Sequence, residues 1–290
     1  MEGLLNIDKP AGLTSHDVVG RVRRLAGLKR VGHAGTLDPL ATGVLLVALG
    51  RATRLIEYIT GQPKTYRTTI RLGQTTDSYD AEGEIVAEAP VQVDEAAIRA
   101  ALDPFRGPIQ QLPPMYSAIK RDGQPLYKLA RQGIEVERQP RAVTIYELTL
   151  LAWQPPFLEL EVVCSAGTYI RSLAHDLGQA LDCGGHVTVL RRTAVGGFLV
   201  EEAVTLETLA VAGVASHLQP AERAVAHLPR LVLPAAQIQM LWDGKLIPTE
   251  GDLAAGELWR LYDAEGAFAG LIRPVGEDWQ AVKMFPPVRG

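Results

Sequence analysis

The run Gly32-His33-Ala34-Gly35-Thr36-Leu37-Asp38-Pro39-Leu40-Ala41-Thr42-Gly43 passes directly into Val44-Leu45-Leu46-Val47-Ala48-Leu49-Gly50, and it constrains the chain more than any other segment. The second half is a strand-length apolar run that has to be buried. The first half is a glycine-bounded loop carrying one carboxylate. Pro39 fixes its own φ and drives Asp38 out of the helical region, while Gly32, Gly35 and Gly43 permit turns and close backbone approach. An isolated Asp-Pro is ordinarily just a turn. Here the surrounding string predicts a carboxylate held still against a buried strand.

With 290 residues and 47% hydrophobic content the chain has enough apolar surface for a sizeable core, organised as one large domain and one small one. No apolar run reaches membrane-spanning length, and the N-terminus lacks a basic segment followed by an apolar signal core, so a cytoplasmic protein is expected. The two cysteines, Cys164 and Cys183, offer no disulfide framework and have no neighbouring ligands for zinc, so both are expected as buried thiols.

The formal net charge of -4 does not announce a nucleic-acid binder. Its distribution does. Arg21, Arg23, Arg24, Lys29, Arg30, Arg51 and Arg54 surround the Asp38 loop in sequence against only Asp17 and Asp38, and a second basic stretch holds Arg106, Lys120, Arg121, Lys128, Arg131, Arg138 and Arg141. Each of these residues alone reads as a solvated face. The two clusters together predict phosphate contacts, which need a local patch and not a basic whole.

Periodicity supplies the elements. Leu4 to Ile7 reads as a strand ended by Lys9-Pro10, and Thr14 or Ser15 as the cap of a helix whose apolar positions are Val18, Val19, Val22, Leu25 and Ala26. Tyr66 to Leu72 alternates with Tyr66, Thr68, Ile70 and Leu72 on one face. Asp94 opens a helix through Ala101; Ile109 to Pro125 reads as an excursion from the core, followed by a short helix ended by Gly133. Thr144 to Leu151 and Leu158 to Cys164 read as neighbouring strands, and Tyr169 to Leu181 as an amphipathic helix. A boundary falls near Leu228-Pro229, beyond which three strands predict a small all-β unit.

Five motifs in order resemble the TruB family of bacterial tRNA pseudouridine synthases. They are Leu5-Asn6-Ile7-Asp8-Lys9-Pro10-Ala11-Gly12-Leu13-Thr14-Ser15; the Asp38 string; Lys64-Thr65-Tyr66-Arg67 with Leu72-Gly73-Gln74-Thr75-Thr76-Asp77-Ser78-Tyr79-Asp80; Pro113-Pro114-Met115-Tyr116-Ser117-Ala118-Ile119-Lys120; and Cys164-Ser165-Ala166-Gly167-Thr168-Tyr169-Ile170-Arg171. The resemblance implies an α/β (α+β) fold with a mixed, mainly antiparallel sheet flanked by helices, over residues 1–228. An RNA-gripping insertion is implied at about 105–140, and a small β-barrel of the PUA type over 229–290. In that last segment Asp and Glu outnumber Lys and Arg by eight to six, which argues against a large share of RNA affinity.

The implied reaction isomerises uridine 55 in the T arm of tRNA, without cofactor or metal, in a monomer with no obligatory protein partner. By resemblance Asp38 is the catalytic carboxylate, acting at C1′ as nucleophile or at C2′ as base, and Arg171 is the fixed cation beside it. Tyr66 stacks on the flipped uracil and serves proton transfer at C5. Tyr169 and Leu190 line the uridine pocket, His33 wedges into the T loop where the base has left, and Lys9 and Asp80 contact RNA or order the pocket. Two alternatives stay open, a guide-RNA-dependent synthase subunit of the dyskerin type and an RNA chaperone that has kept the fold. The bacterial-type insertion and the absence of a Lys-rich tail favour the stand-alone enzyme over the former, and intact Asp38, Tyr66 and Arg171 speak against a purely non-catalytic role.

Overall fold

A computed structural model describes residues 1–117, 119–121, 123–130, 132–134, 136–249 and 256–285. Its framework is a nine-stranded sheet. Seven strands follow the order Gly3–Lys9, Thr42–Leu49, Gly185–Val195, Lys64–Leu72, Phe157–Cys164, Arg141–Gln154 and Gly107–Gln111, with Val31–Ala34 added to the second and Phe198–Leu199 to the third. Every pairing is antiparallel except the one between Gly185–Val195 and Thr42–Leu49, which is parallel through Arg191↔Thr42 and Arg192↔Gly43. The sheet is therefore mixed and mainly antiparallel, as expected.

Local chemistry explains the elements that matter for the site. The Ser15–Ala26 helix starts at Thr14, whose hydroxyl accepts from the Asp17 backbone N–H while the Asp17 carboxylate accepts from the Thr14 N–H, a reciprocal cap, and it ends at Gly27 with φ 63°. Val18, Val19 and Val22 are buried, but Leu25, assigned to the apolar stripe from its spacing, is 44% exposed. In Lys64–Leu72 the alternation holds residue for residue, with Tyr66, Thr68, Ile70 and Leu72 inward. Asp94 caps the Glu95–Leu102 helix through its side chain on the Ala97 N–H.

Two expectations need correction. The excursion does not begin at Ile109, because Gly107–Gln111 is the edge strand of the main sheet, paired with Arg141–Ile145. Proline at 108 disguised it, and an edge strand tolerates a proline whose ladder side faces solvent. The chain leaves the sheet only after Gln111, for a short hairpin and the Leu126–Ala130 helix. Ala118, Asp122 and Arg131, with the side chains of Lys120 and Arg121, lie outside the described residues. The C-terminal unit is not all-β either. Its five-stranded sheet, in the order Arg230–Val232, Trp259–Tyr262, Phe268–Val275, Asp278–Met284 and Ile247–Pro248, carries the helix Ala235–Trp242, whose Leu241 packs with Ile247 and Trp279.

That second sheet is docked, not tethered. Leu271 and Phe285 join Leu46 and Ala48 of the main sheet and Leu55 and Ile59 of the helical segments that follow that strand in one buried cluster. The opposite face of the main sheet builds the larger core, in which Tyr66 and Leu190 sit with Leu37 and Ile170.

Gly43 marks the tightest crossing in the framework. Its φ is +96°, and a Cβ there would lie 2.1 Å from the Arg192 carbonyl oxygen. Gly43→Ala is expected to lower unfolding free energy by at least ~2 kcal/mol, from the left-handed backbone penalty plus overpacking. Urea denaturation checks this, with Gly12→Ala as the comparison, since Gly12 has φ +79° but open space around it.

Candidate active site

Asp38 lies at the floor of a cleft of about 270 Å³ lined by Tyr66, Leu190, Tyr169, Arg171, Lys64 and Arg192 among others. Four elements meet there. The loop between Ala34 and Thr42 brings Asp38, the Lys64–Leu72 strand brings Tyr66, the Gly185–Val195 strand brings Leu190 and Arg192, and the Ile170–Ala180 helix brings Arg171 in its first turn.

The Asp38 loop is fixed by bonds to its backbone. Ser15 Oγ donates to the Leu37 carbonyl at 3.1 Å and accepts from the Leu37 N–H at 2.9 Å. Lys9 is fully buried, and its Nζ donates to the carbonyls of Pro10, Leu13 and Pro39 at 2.9, 2.6 and 3.2 Å. Burial lowers the Lys9 pKa to about 8, with the nearby Asp38 carboxylate opposing that shift. Its ammonium thus orders the loop and has no open path to a ligand. Arg192, 1% exposed, donates from Nε to the Val44 carbonyl at 2.7 Å and from Nη2 to the Gly35 carbonyl at 3.1 Å, bracketing the loop from both ends.

Arg171 is 4% exposed and every arm of its guanidinium is used. Nε meets Asp38 Oδ2 at 3.0 Å, Nη1 meets Asp80 Oδ2 at 3.2 Å and the Ser78 carbonyl at 3.1 Å, and Nη2 donates to the Tyr116 carbonyl at 2.6 Å. Asp80, equally buried, accepts on Oδ1 from the Ser78 hydroxyl at 2.6 Å and the Glu82 N–H at 3.1 Å. Arg171 is placed by the helix start, and the helix start is placed by Gln111. The Gln111 amide accepts from the Tyr169 N–H at 2.7 Å and donates to the Tyr169 carbonyl at 2.9 Å.

Confinement at the cleft floor pushes the Asp38 carboxyl above the usual aspartate range; Arg171 opposes the shift, Asp80 adds to it and Lys9 opposes it. The side chain stays 37% exposed through the cleft mouth, so solvent moderates these influences. Burial likewise raises the Tyr66 hydroxyl, with Arg192 opposing. Tyr66 is a neutral phenol at neutral pH.

The structure brings Asp38, Tyr66, Tyr169, Arg171 and Leu190 to one cleft, with Asp80 and Lys9 behind it. His33 is elsewhere. It lies in the Val31–Ala34 strand, half-buried, with its ring edge-on to His16 at 5.4 Å and its Nδ1 buried without a partner, so it is packed more than its flanking glycines suggested. Sequence reasoning missed Gln111, Lys64 and Arg192. Arg192 left one signal, an Arg-Arg pair following Val187, Val189 and Leu190 in a strand, where a buried cation needs a reason.

Carboxyl titration by ¹³C NMR checks this electrostatic arrangement. Asp38 is expected to titrate above the ordinary ~3.9. Arg171→Gln should move it further up, because a stabilising cation is lost, and Asp80→Asn should move it down, because a repelling anion is lost. Shifts of the same sign in both variants would contradict the arrangement.

Residues 23–170 match the model of the TruB family pseudouridylate synthase N-terminal domain, and residues 171–238 match that of the tRNA pseudouridylate synthase B C-terminal domain. The tRNA pseudouridine synthase B of Aromatoleum aromaticum is 48% identical over 274 residues, 93% of this chain and 88% of the relative. That of Dehalococcoides mccartyi is 47% identical over 291 residues, 98% and 97% of the two chains. Among solved structures, a chain of a Cbf5-Nop10-Gar1 complex superposes with a TM-score of 0.77 at 29% identity, covering 98% of this chain and 85% of that one. A chain of an H/ACA ribonucleoprotein bound to a substrate RNA containing 2′-deoxyuridine gives 0.76 at 27%, with the same coverage. By fold, by motif and by extended identity, the chain belongs to the TruB family of pseudouridylate synthases.

Proposed function

We propose that the protein acts on tRNA, isomerising uridine 55 of the T arm to pseudouridine as a cytoplasmic monomer that needs no cofactor and no protein partner. The observation that carries this reading is the Asp38–Arg171–Asp80 constellation at the floor of a cleft sized for one nucleoside. The relatives named for tRNA at 47–48% identity favour it over a guide-dependent subunit, the structural neighbours being chains of an H/ACA ribonucleoprotein and a Cbf5-Nop10-Gar1 complex at 27–29% identity.

The chemistry balances without help. The bond from N1 to C1′ breaks, the base turns, C5 joins C1′, C5 loses its proton and N1 gains one. Asp38 supplies the carboxylate at the sugar, as nucleophile at C1′ or base at C2′, in the manner of glycoside chemistry. Arg171 keeps that carboxylate ionised beside RNA phosphates. Tyr66 presents its ring to the flipped uracil and its hydroxyl to the proton at C5, with Leu190 and Tyr169 closing the pocket. Asp80 acts through Arg171, and Lys9 through the loop backbone, both as positioning residues. His33 meets the T loop from outside the cleft. Residues 1–228 form the catalytic domain, its insertion gripping the T arm, and 229–290 the PUA-like RNA-binding domain.

Asp38→Asn should abolish pseudouridine formation on unmodified tRNA while leaving binding within a few-fold, because size and much of the hydrogen bonding remain. Carbodiimide labelling read by mass reports the product, and substantial turnover would remove Asp38 from its role.

Tyr66 allows stacking and proton transfer to be separated. Tyr66→Phe keeps the ring and should bind like the parent yet stall before C5 proton loss, whereas Tyr66→Ala should also lose stacking worth about 1–3 kcal/mol. Tritium release from C5 in single turnovers decides between them. Parent-like release by the Phe variant would confine Tyr66 to stacking.

A further inference from the structure

The Asp38 network is close to neutral by itself, because Arg171 faces two carboxylates and the Lys9 ammonium lies in the field of Asp38 and Glu82. Two more cations line the same cleft and stand outside that balance. Lys64 is 7% exposed and Arg192 1% exposed, and among the described residues their hydrogen bonds go to carbonyls and, for Arg192, also to the neutral Tyr66 hydroxyl, none to a carboxylate. Carbonyls satisfy donors but leave the charge uncompensated, and a buried uncompensated charge is costly. Burial lowers the Lys64 pKa to about 8, and the charge of Arg192 adds to that shift.

Part of Lys64 has a structural explanation. Its Nζ donates to the carbonyls of Thr60 and Gln62 at 2.5 and 2.6 Å, satisfying the end of the Ile56–Thr60 helix. An ammonium has three donors, so one is left. The helix end does not explain the second cation. Arg192 sits opposite Tyr66 in the register of adjacent strands, and Lys64 lies two residues from Tyr66 on the same strand face. Both cations thus lie beside the ring proposed to carry the base. The same cleft is rimmed by the Ser165 and Thr168 hydroxyls and by Gly167 at φ +87°, a rim that suits an anion's oxygens.

We propose that this end of the cleft is a phosphodiester subsite, where Lys64 Nζ, backed by the field of Arg192, contacts a non-bridging oxygen of one phosphate flanking the target nucleotide. The inference rests on the RNA-modifying reading above and names the part of the substrate that this wall receives. A nucleotide whose C1′ reaches Asp38 and whose base lies on Tyr66 carries its flanking phosphates toward the cleft walls. The two cations compensate the charge brought in, and the bound anion compensates theirs.

The test uses a T-arm stem-loop and the Asp38→Asn background, so that binding is read without turnover. Lys64→Gln should weaken binding about tenfold at low salt, the scale of one charge-assisted hydrogen bond, and should reduce the salt slope by roughly 0.7. A neutral methylphosphonate placed 5′ or 3′ of the target uridine should, at one of the two positions, weaken parent binding by a similar factor. On that RNA Lys64→Gln should then make no further difference. Independent, multiplying losses at both positions, or no loss with Lys64→Gln, would overturn the subsite. If thermal melting shows that Lys64→Gln does not fold, Lys64→Arg takes its place; it should keep the binding and the same methylphosphonate sensitivity, and loss of that sensitivity would equally overturn the proposal. Wild-type conversion of the unmodified stem-loop is assayed in parallel. Its failure would count against the proposed reaction, whereas coupling between Lys64 and a phosphate stands or falls separately.

Discussion

One guanidinium holds the cleft together. Arg171 joins a loop near residue 38, a turn near residue 80 and a segment near residue 116 to the start of a helix, and none of these is close to another in sequence. Removing it would leave two carboxylates facing each other with no cation between them, so the electrostatics of the site and its shape have the same origin. The fork geometry of arginine is what makes this possible, since four acceptors lie around one plane and a lysine reaches fewer of them. The turn it grips is itself strained. Tyr79, next to Asp80, has φ 63°, a conformation that costs a non-glycine residue on the order of 1–3 kcal/mol and is held by its surroundings. Here the ring of Tyr79 stacks on His175 at 3.9 Å, one helical turn beyond Arg171, so strain and ion pair are braced by the same helix.

The legible part of the sequence was the part where local chemistry decides. The Thr14 cap, the Asp94 cap, the alternation from Tyr66 to Leu72 and the turn glycines Gly35 and Gly43 are properties of short segments that the structure keeps, whereas Gly32 lies inside the Val31–Ala34 strand with no left-handed backbone. Asp38, Tyr66 and Arg171 could be singled out because they sit in motifs. What stayed hidden depends on pairing at a distance. Gln111 looks like any polar residue at a strand end until the Tyr169 backbone is set against it, and Gly107–Gln111 reads as a proline-bearing loop until Arg141–Ile145 offers it a ladder. The Ala235–Trp242 helix was lost for a related reason, as a two-turn segment following a proline has little periodicity of its own.

Buried cations follow a consistent pattern in this cleft. Lys9 and Arg192 both spend their donors on carbonyls of the Asp38 loop or its flanks, which fixes backbone without neutralising charge. Lys9 at least lies in the field of Asp38 and Glu82, whereas a carboxylate beside Arg192 would compensate its charge. It would also cancel the positive field by which Arg192 opposes the raised pKa of Tyr66. The arrangement gives up stability to keep a local positive field in the cleft that holds Asp38 and Tyr66.

The same distinction between charge and its use limits what a count of basic residues says about an RNA surface. Arg54 falls in the basic cluster around the Asp38 loop, yet its Nη1 donates to the Met284 carbonyl at 2.8 Å and its guanidinium lies 5.3 Å from the centre of the Phe285 ring. Lys283 answers from the other side, donating to the Arg54 carbonyl at 2.6 Å and pairing with Glu57. Arg51 is likewise engaged, by Glu2 at 2.5 Å. These cations bind the two sheets or the chain's own start; Arg23, Arg24, Lys29 and Arg30 are exposed, although Arg23 donates to the Val31 carbonyl at 3.3 Å and Arg30 to the Thr53 hydroxyl at 2.7 Å. An acidic C-terminal unit can therefore be held against a basic neighbourhood by cations drawn from that neighbourhood. The electrostatic surface left for a polyanion is smaller than the sequence suggests, because several of the cations counted there are already engaged within the fold.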